Sequence, residues 1–167
     1  MSSDAQVRLG GGCQCGAVRY RLASKPAGEN ICLCRMCQKA GGGPFMAFAG
    51  VPLADLVWTR GSPKIFASSA LAERGFCGDC GTPLTYRMLD RDRVSVTLGS
   101  LDRPSDVPPR MQYGVESKVA WLDAIAALPE RDIASLFGPG VSVESRQHSD
   151  HDSWKSIAAE APQGETL

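Results

Sequence analysis

Seven cysteines fall in three short runs: Cys13-Gln14-Cys15, Cys32-Leu33-Cys34-Arg35-Met36-Cys37 and Cys77-Gly78-Asp79-Cys80. The spacings C-x-C, C-x-C-x-x-C and C-x-x-C are those of thiolates that reach a single metal ion. Residues two apart in an extended segment share a face. Cys13 and Cys15 therefore offer two sulfurs from one strand or strand end, and Cys32 with Cys34 does the same. Cys37 returns to that second pair if the chain turns after Cys34. Cys77 and Cys80 suit a tight knuckle, with Gly78 and Gly81 free to take the backbone angles it needs.

Seven sulfurs cannot complete two four-sulfur sites, and the division the spacing favours is four plus three. Cys13, Cys15, Cys77 and Cys80 make a closed tetrahedral clasp joining two distant segments, a structural site that contributes directly to folding. Cys32, Cys34 and Cys37 remain as a local set with an open fourth position, the hallmark of catalytic rather than structural zinc. Water, hydroxide or an incoming thiolate can take that position, and the ion lowers the pKa of whatever it holds. The expectation is two Zn²⁺ ions per chain, one structural and one catalytic. Sulfur ligands and redox-neutral chemistry favour zinc over iron. The only two histidines, His148 and His151, lie near the C-terminus, and an aspartate or glutamate as fourth ligand stays open. Two other readings compete. One is a non-catalytic zinc module that binds a protein partner. The other is a redox pair at Cys34 and Cys37, which lacks the expected βαβ context.

The elements that must position these residues are mostly strands. Short β-like runs punctuated by glycine and proline extend to about residue 120. They include Val18–Leu22, Phe45–Val51, Leu56–Thr59, Lys64–Ala67, Leu84–Arg87 and Arg93–Leu98, with Met111–Val115 as one more strand. The pair around Asp90-Arg91-Asp92 reads as a β-hairpin. Short helical turns are expected at Cys34–Ala40 and Pro52–Leu56. Phe45, Phe48, Trp58, Phe66 and Phe76 read as core, and Trp121 with Leu122 as an anchor for the C-terminal segment. Gly41-Gly42-Gly43 is either a turn or a point of close ligand approach. Glu116 reads as a surface residue before a base. The fold class is all-β, packed antiparallel sheets with metal clasps at strand ends. Residues 1–138 form one domain, and 139–167 a polar tail with a possible short helix at Ser153–Glu160.

The 167 residues are enough for one such domain. The 18 basic and 18 acidic side chains cancel, so nothing in the charge balance points to a nucleic acid or an acidic membrane surface. The first residues do not read as a signal peptide, and no run approaches the ~20 apolar residues of a membrane span. A cytoplasmic protein is expected, a compartment in which clustered cysteines serve metal or redox chemistry rather than disulfides.

Four segments in order carry a resemblance: Gly12–Tyr20, the Cys32-x-Cys34-x-x-Cys37 cluster, Phe76–Leu84 and Glu116–Leu122. Together they resemble the glutathione-dependent formaldehyde-activating enzyme family, which includes centromere protein V, over roughly residues 10 to 130. The resemblance implies a Mss4-like (β-tent) zinc fold. It assigns Cys13, Cys15, Cys77 and Cys80 to structural zinc and Cys32, Cys34 and Cys37 to catalytic zinc, in agreement with the division above. It also implies carbon–sulfur lyase chemistry on glutathione or its aldehyde adduct, S-hydroxymethylglutathione being the type substrate. Arg35 and Lys39, beside the cluster, are cations that can meet the carboxylates of such a thiol. The chain departs from the pattern at Leu33, where many relatives carry histidine or another polar residue, which removes one proton carrier.

Overall fold

A computed structural model describes residues 9–137, 140–142 and 144–148. Among the described residues ten strands form two sheets. A three-stranded antiparallel sheet has the order β1 (Leu9–Gly12), β2 (Arg19–Leu22), β5 (Leu56–Arg60). A seven-stranded sheet runs β10 (Met111–Tyr113), β3 (Ala27–Cys32), β4 (Met46–Pro52), β9 (Arg93–Thr97), β8 (Pro83–Met88), β7 (Ala72–Phe76), β6 (Lys64–Ser69). Every pairing is antiparallel except that of β10 with β3, which is parallel. The expected hairpin across Asp90–Asp92 is β8–β9, with Thr85 opposite Val96. The fold is all-β, as the runs of alternating residues predict. The sole α-helix among the described residues is α1 (Arg35–Gly41), and the expected turn after Pro52 is a 3-10 turn at Leu53–Asp55.

The main core lies between the sheets. Leu9, Tyr20 and Leu22 from the small sheet meet Ala49, Val51, Leu84, Val94 and Val96 from the large one. Strand β4 shows how period-two alternation divides the labour. Its Ala49 and Val51 face that core, whereas Met46 and Phe48 face a second, smaller cluster around Cys37. One strand thus anchors the domain and walls the cysteine site. Burying residues of this kind stabilises by about 1.5–3 kcal/mol each.

Two aromatic expectations are corrected. Phe66 is 59% exposed, because β6 is the outermost strand of the large sheet and its residues are mostly exposed. Trp121 is 57% exposed: it sits in a 3-10 segment, Ala120–Ala127, with no buried residue. Phe48 is buried, and Trp58 packs edge-on against Tyr20 at the margin of the core. The suggested helix at Ser153–Glu160 lies outside the described residues.

Candidate metal centres

The seven sulfurs form two groups. Cys13, Cys15, Cys77 and Cys80 lie with all four Sγ atoms within 4.8 Å of one another, and Cys32, Cys34 and Cys37 do the same. The four-plus-three grouping is the one expected from spacing.

In the first group, Cys13 and Cys15 follow directly on the end of β1, and Cys77–Cys80 fills the turn from β7 to β8. The knuckle is fixed by backbone bonds: Cys77 N–H to Thr82 O at 2.9 Å and Gly81 N–H to Cys77 O at 3.0 Å. Gly81 has φ +78°, a left-handed angle that glycine takes without strain. Cys13 Sγ accepts from Val18 N–H at 3.2 Å and Cys77 Sγ from Asp79 N–H at 3.4 Å. The Cys13–Cys15 and Cys15–Cys77 sulfur separations are 3.5 and 3.8 Å. A tetrahedral ion with bonds of about 2.3 Å to sulfur needs an edge of about 3.8 Å, so the residues fit such an ion. Burial raises the Cys80 thiol, but the Thr82 hydroxyl and the Thr82 and Cys15 backbone groups outweigh it and bring it down to about 6. His148 packs on the Cys13–Gly16 loop, its N–H donating to Gln14 O at 2.7 Å, and stands outside both sulfur groups.

The second group is assembled by the start of α1. Cys32 ends β3, Cys34 is the extended residue that caps the helix, and Cys37 lies in the first turn. Burial pushes Cys32 up to about 12. It also raises Cys34, but the backbone N–H groups of Cys37 and Met36 and the neighbouring sulfurs leave that thiol below its ordinary value. Leu33 between them is fully buried, an apolar side chain packed inside the protein. The glycine run is a turn: Gly42, at φ +66°, ends the helix.

Three residues beside this group have no signal in the cysteine spacing. Arg74, on β7, is 7% exposed. Its guanidinium donates to Cys37 Sγ at 3.3 Å, to Ser68 Oγ at 3.0 Å and to Met46 Sδ at 3.5 Å, and lies 5.0 Å over the Tyr86 ring. Register explains the last contact, since Arg74 is the cross-strand partner of Tyr86. Among the described residues no carboxylate pairs with Arg74. A buried cation needs a counter-charge, and three thiolates around a divalent ion carry a net charge of −1. Arg74 therefore matches a metal-loaded three-sulfur group. Gln38, also buried, donates to Leu33 O at 2.7 Å and Ser117 O at 2.8 Å, strapping the cysteine loop to the 3-10 turn Val115–Ser117. Gly114 lies so close that a Cβ there would stand 2.6 Å from Cys34 N.

A cavity of about 530 Å³ opens beside the second group. Arg35 and Met36, on the cysteine loop, line one side, and Phe76 and Gly81, flanking the knuckle of the first group, line another. Arg74 and Met46 separate it from Cys37. Lys39 also lines it, so both cations expected near the cluster reach this cavity. Glu116 stands apart from the lining residues. No helix among the described residues is long and apolar enough to cross a membrane.

The sequence profile of the glutathione-dependent formaldehyde-activating enzyme family matches residues 8–117. A Halomonas elongata protein named as a candidate enzyme of that kind is 29% identical over 147 residues, covering 75% of this chain and 92% of its own. An uncharacterized lyase of Schizosaccharomyces pombe is 33% identical over 76 residues, 46% of this chain and 55% of the yeast protein. A crystal structure of a Rhodobacter sphaeroides protein superposes with a TM-score of 0.49 and 23% identity, covering 62% of this chain and 98% of that one. With the profile spanning all three cysteine runs, the chain belongs to the glutathione-dependent formaldehyde-activating enzyme family.

Proposed function

We propose that the protein is a zinc-dependent carbon–sulfur lyase acting on a low-molecular-weight thiol of the glutathione type or on its aldehyde adduct. The observation that carries this reading is the asymmetry of the two sulfur groups. One has the four ligands of a closed clasp. The other has three, with a cavity next to it and a buried cation against it. In this reading Cys13, Cys15, Cys77 and Cys80 hold a structural zinc and Cys32, Cys34 and Cys37 a catalytic one.

Zinc, when bound, supplies Lewis acidity and keeps a thiol deprotonated near neutral pH. The chain's own residues do the rest. The helix start holds Cys34 and Cys37 in place, Gln38 fixes the loop that carries them, and Arg74 offsets the charge of the thiolates. Arg35 and Lys39, one helical turn apart on α1, present cations to the carboxylates of the thiol.

The test is the zinc content of protein purified without added metal, followed by glutathione titration of the cobalt-substituted protein. The expected result is two ions per chain, with the thiol changing the spectrum of one. Cys34→Ser is expected to abolish activity, by at least 100-fold, in a folded protein that keeps one ion. Cys77→Ser is expected to lose the clasp and unfold or lose much of its stability. Two ions that ignore glutathione would instead support the non-catalytic module that binds a protein partner.

A further inference from the structure

The cavity beside Cys37 does not suit the one-carbon unit of the family's type substrate. Its volume of about 530 Å³ lies in the range of about 300–1,000 Å³ that accommodates ligands of many heavy atoms, whereas a hydroxymethyl group adds one carbon and one oxygen to the sulfur. Much of its lining is apolar: buried Met46, half-buried Phe76 and Pro83, and exposed Ala40. Two of its apolar residues, Met36 and Phe66, are 56% and 59% exposed, and no other described residue covers them. The remaining charged lining residues are Arg35, Lys39 and Arg74, with no acidic residue among them. An apolar wall with exposed Arg35 and Lys39 at its rim and buried Arg74 inside is complementary to an amphipathic anion.

Resting on the lyase reading above, we propose that this cavity receives the aldehyde-derived half of the thiol adduct. The preferred adduct then carries an apolar chain of several carbons rather than a hydroxymethyl group. The chemistry is redox-neutral. In the adduct-forming direction the thiol adds across the aldehyde C=O: the C–S bond forms and the carbonyl oxygen takes the proton given up by sulfur. In reverse the C–S bond breaks, the carbonyl is restored and the proton leaves the hydroxyl. The apolar chain lies along Met46, Phe66 and Phe76, while the thiol's carboxylates stay at the rim with Arg35 and Lys39.

The experiment compares S-methylglutathione with S-hexylglutathione by calorimetry on the two-zinc protein. Each fully buried methylene is worth about fourfold in affinity, and in a half-open cavity the hexyl probe is expected to bind at least tenfold tighter than the methyl one. Ala40→Trp, an exposed helix position that fills the cavity mouth, is expected to remove that preference. Phe66→Ala is expected to reduce it several-fold, and both variants should retain two zincs. Equal affinity for the two probes, binding of neither, or a preference unchanged in Ala40→Trp would overturn this proposal. If in any of these cases glutathione still perturbs the metal spectrum, the lyase reading stands without it. A protein whose metal ignores glutathione would take both down.

Discussion

Three thiolates around a divalent ion would carry a net negative charge, and among the described residues Arg74 is placed to balance it. Arg74 reaches Cys37 from β7, a strand that also lines the cavity. Arg74→Met keeps the apolar stem and removes the cation. Changes to residues that orient metal ligands typically lower affinity 10–100-fold, and that is the expected loss at the three-cysteine site, with the four-cysteine site unchanged. Competition with a chromogenic chelator, read as two separate dissociation phases, checks this. Arg74→Lys should recover only part of the loss, because an ammonium cannot hold Ser68, Met46 and Cys37 together in one plane. The grouping of the cysteines was legible in the sequence because their spacing is a local property. Arg74 was not, since its contact depends on β7 lying across from the cysteine loop, thirty-seven residues away. In isolation it is one more charged residue in an alternating strand.

At the scale of elements, the three-cysteine loop is held from behind by the chain that follows β10. Gly114 has φ +68° and almost touches Cys34. Gly114→Ala meets both a left-handed backbone and a clash with backbone atoms, so a loss of about 2 kcal/mol or more is expected. The matching readout is a lowered Tm together with a weakened three-cysteine site. Seven strand runs, the β8–β9 hairpin and the short helix could be read from alternation and turn residues, whereas β1, β3 and β7, with glycine, charge and little apolar alternation, were not. The separation of β5 and β6 into different sheets could not, because Gly61-Ser62-Pro63 looks the same whether the flanking strands pair or part. Phe66 misled for a related reason. Alternation identifies the two faces of a strand, but whether a face is covered depends on what packs there, and on edge strand β6 little does.

At the scale of the molecule, the small sheet is tied by polar contacts, as well as by the core, to the segment that follows β9. Arg19 on β2 donates from Nη2 to both carboxylate oxygens of Asp102 at 2.7 and 2.8 Å, both side chains nearly buried. Next to it the Tyr20 hydroxyl meets Ser100 Oγ at 2.7 Å. Asp102→Ala takes the carboxylate away from a buried guanidinium. The expected destabilisation is about 3–5 kcal/mol, measured by urea unfolding of the metal-loaded protein.

The clasp of four cysteines also sets an order of events during synthesis. Cys15 leaves the ribosome sixty-two residues before Cys77, which it meets in the finished fold. At about 5–20 residues per second, that interval lasts about 3–12 s. For those seconds the first pair of thiols stands without its partners, and Cys32, Cys34 and Cys37 emerge in between with a complete local set of their own. The first run to emerge with all of its own sulfurs is therefore Cys32, Cys34 and Cys37, and a nascent chain under oxidising stress is most vulnerable before residue 80 has appeared.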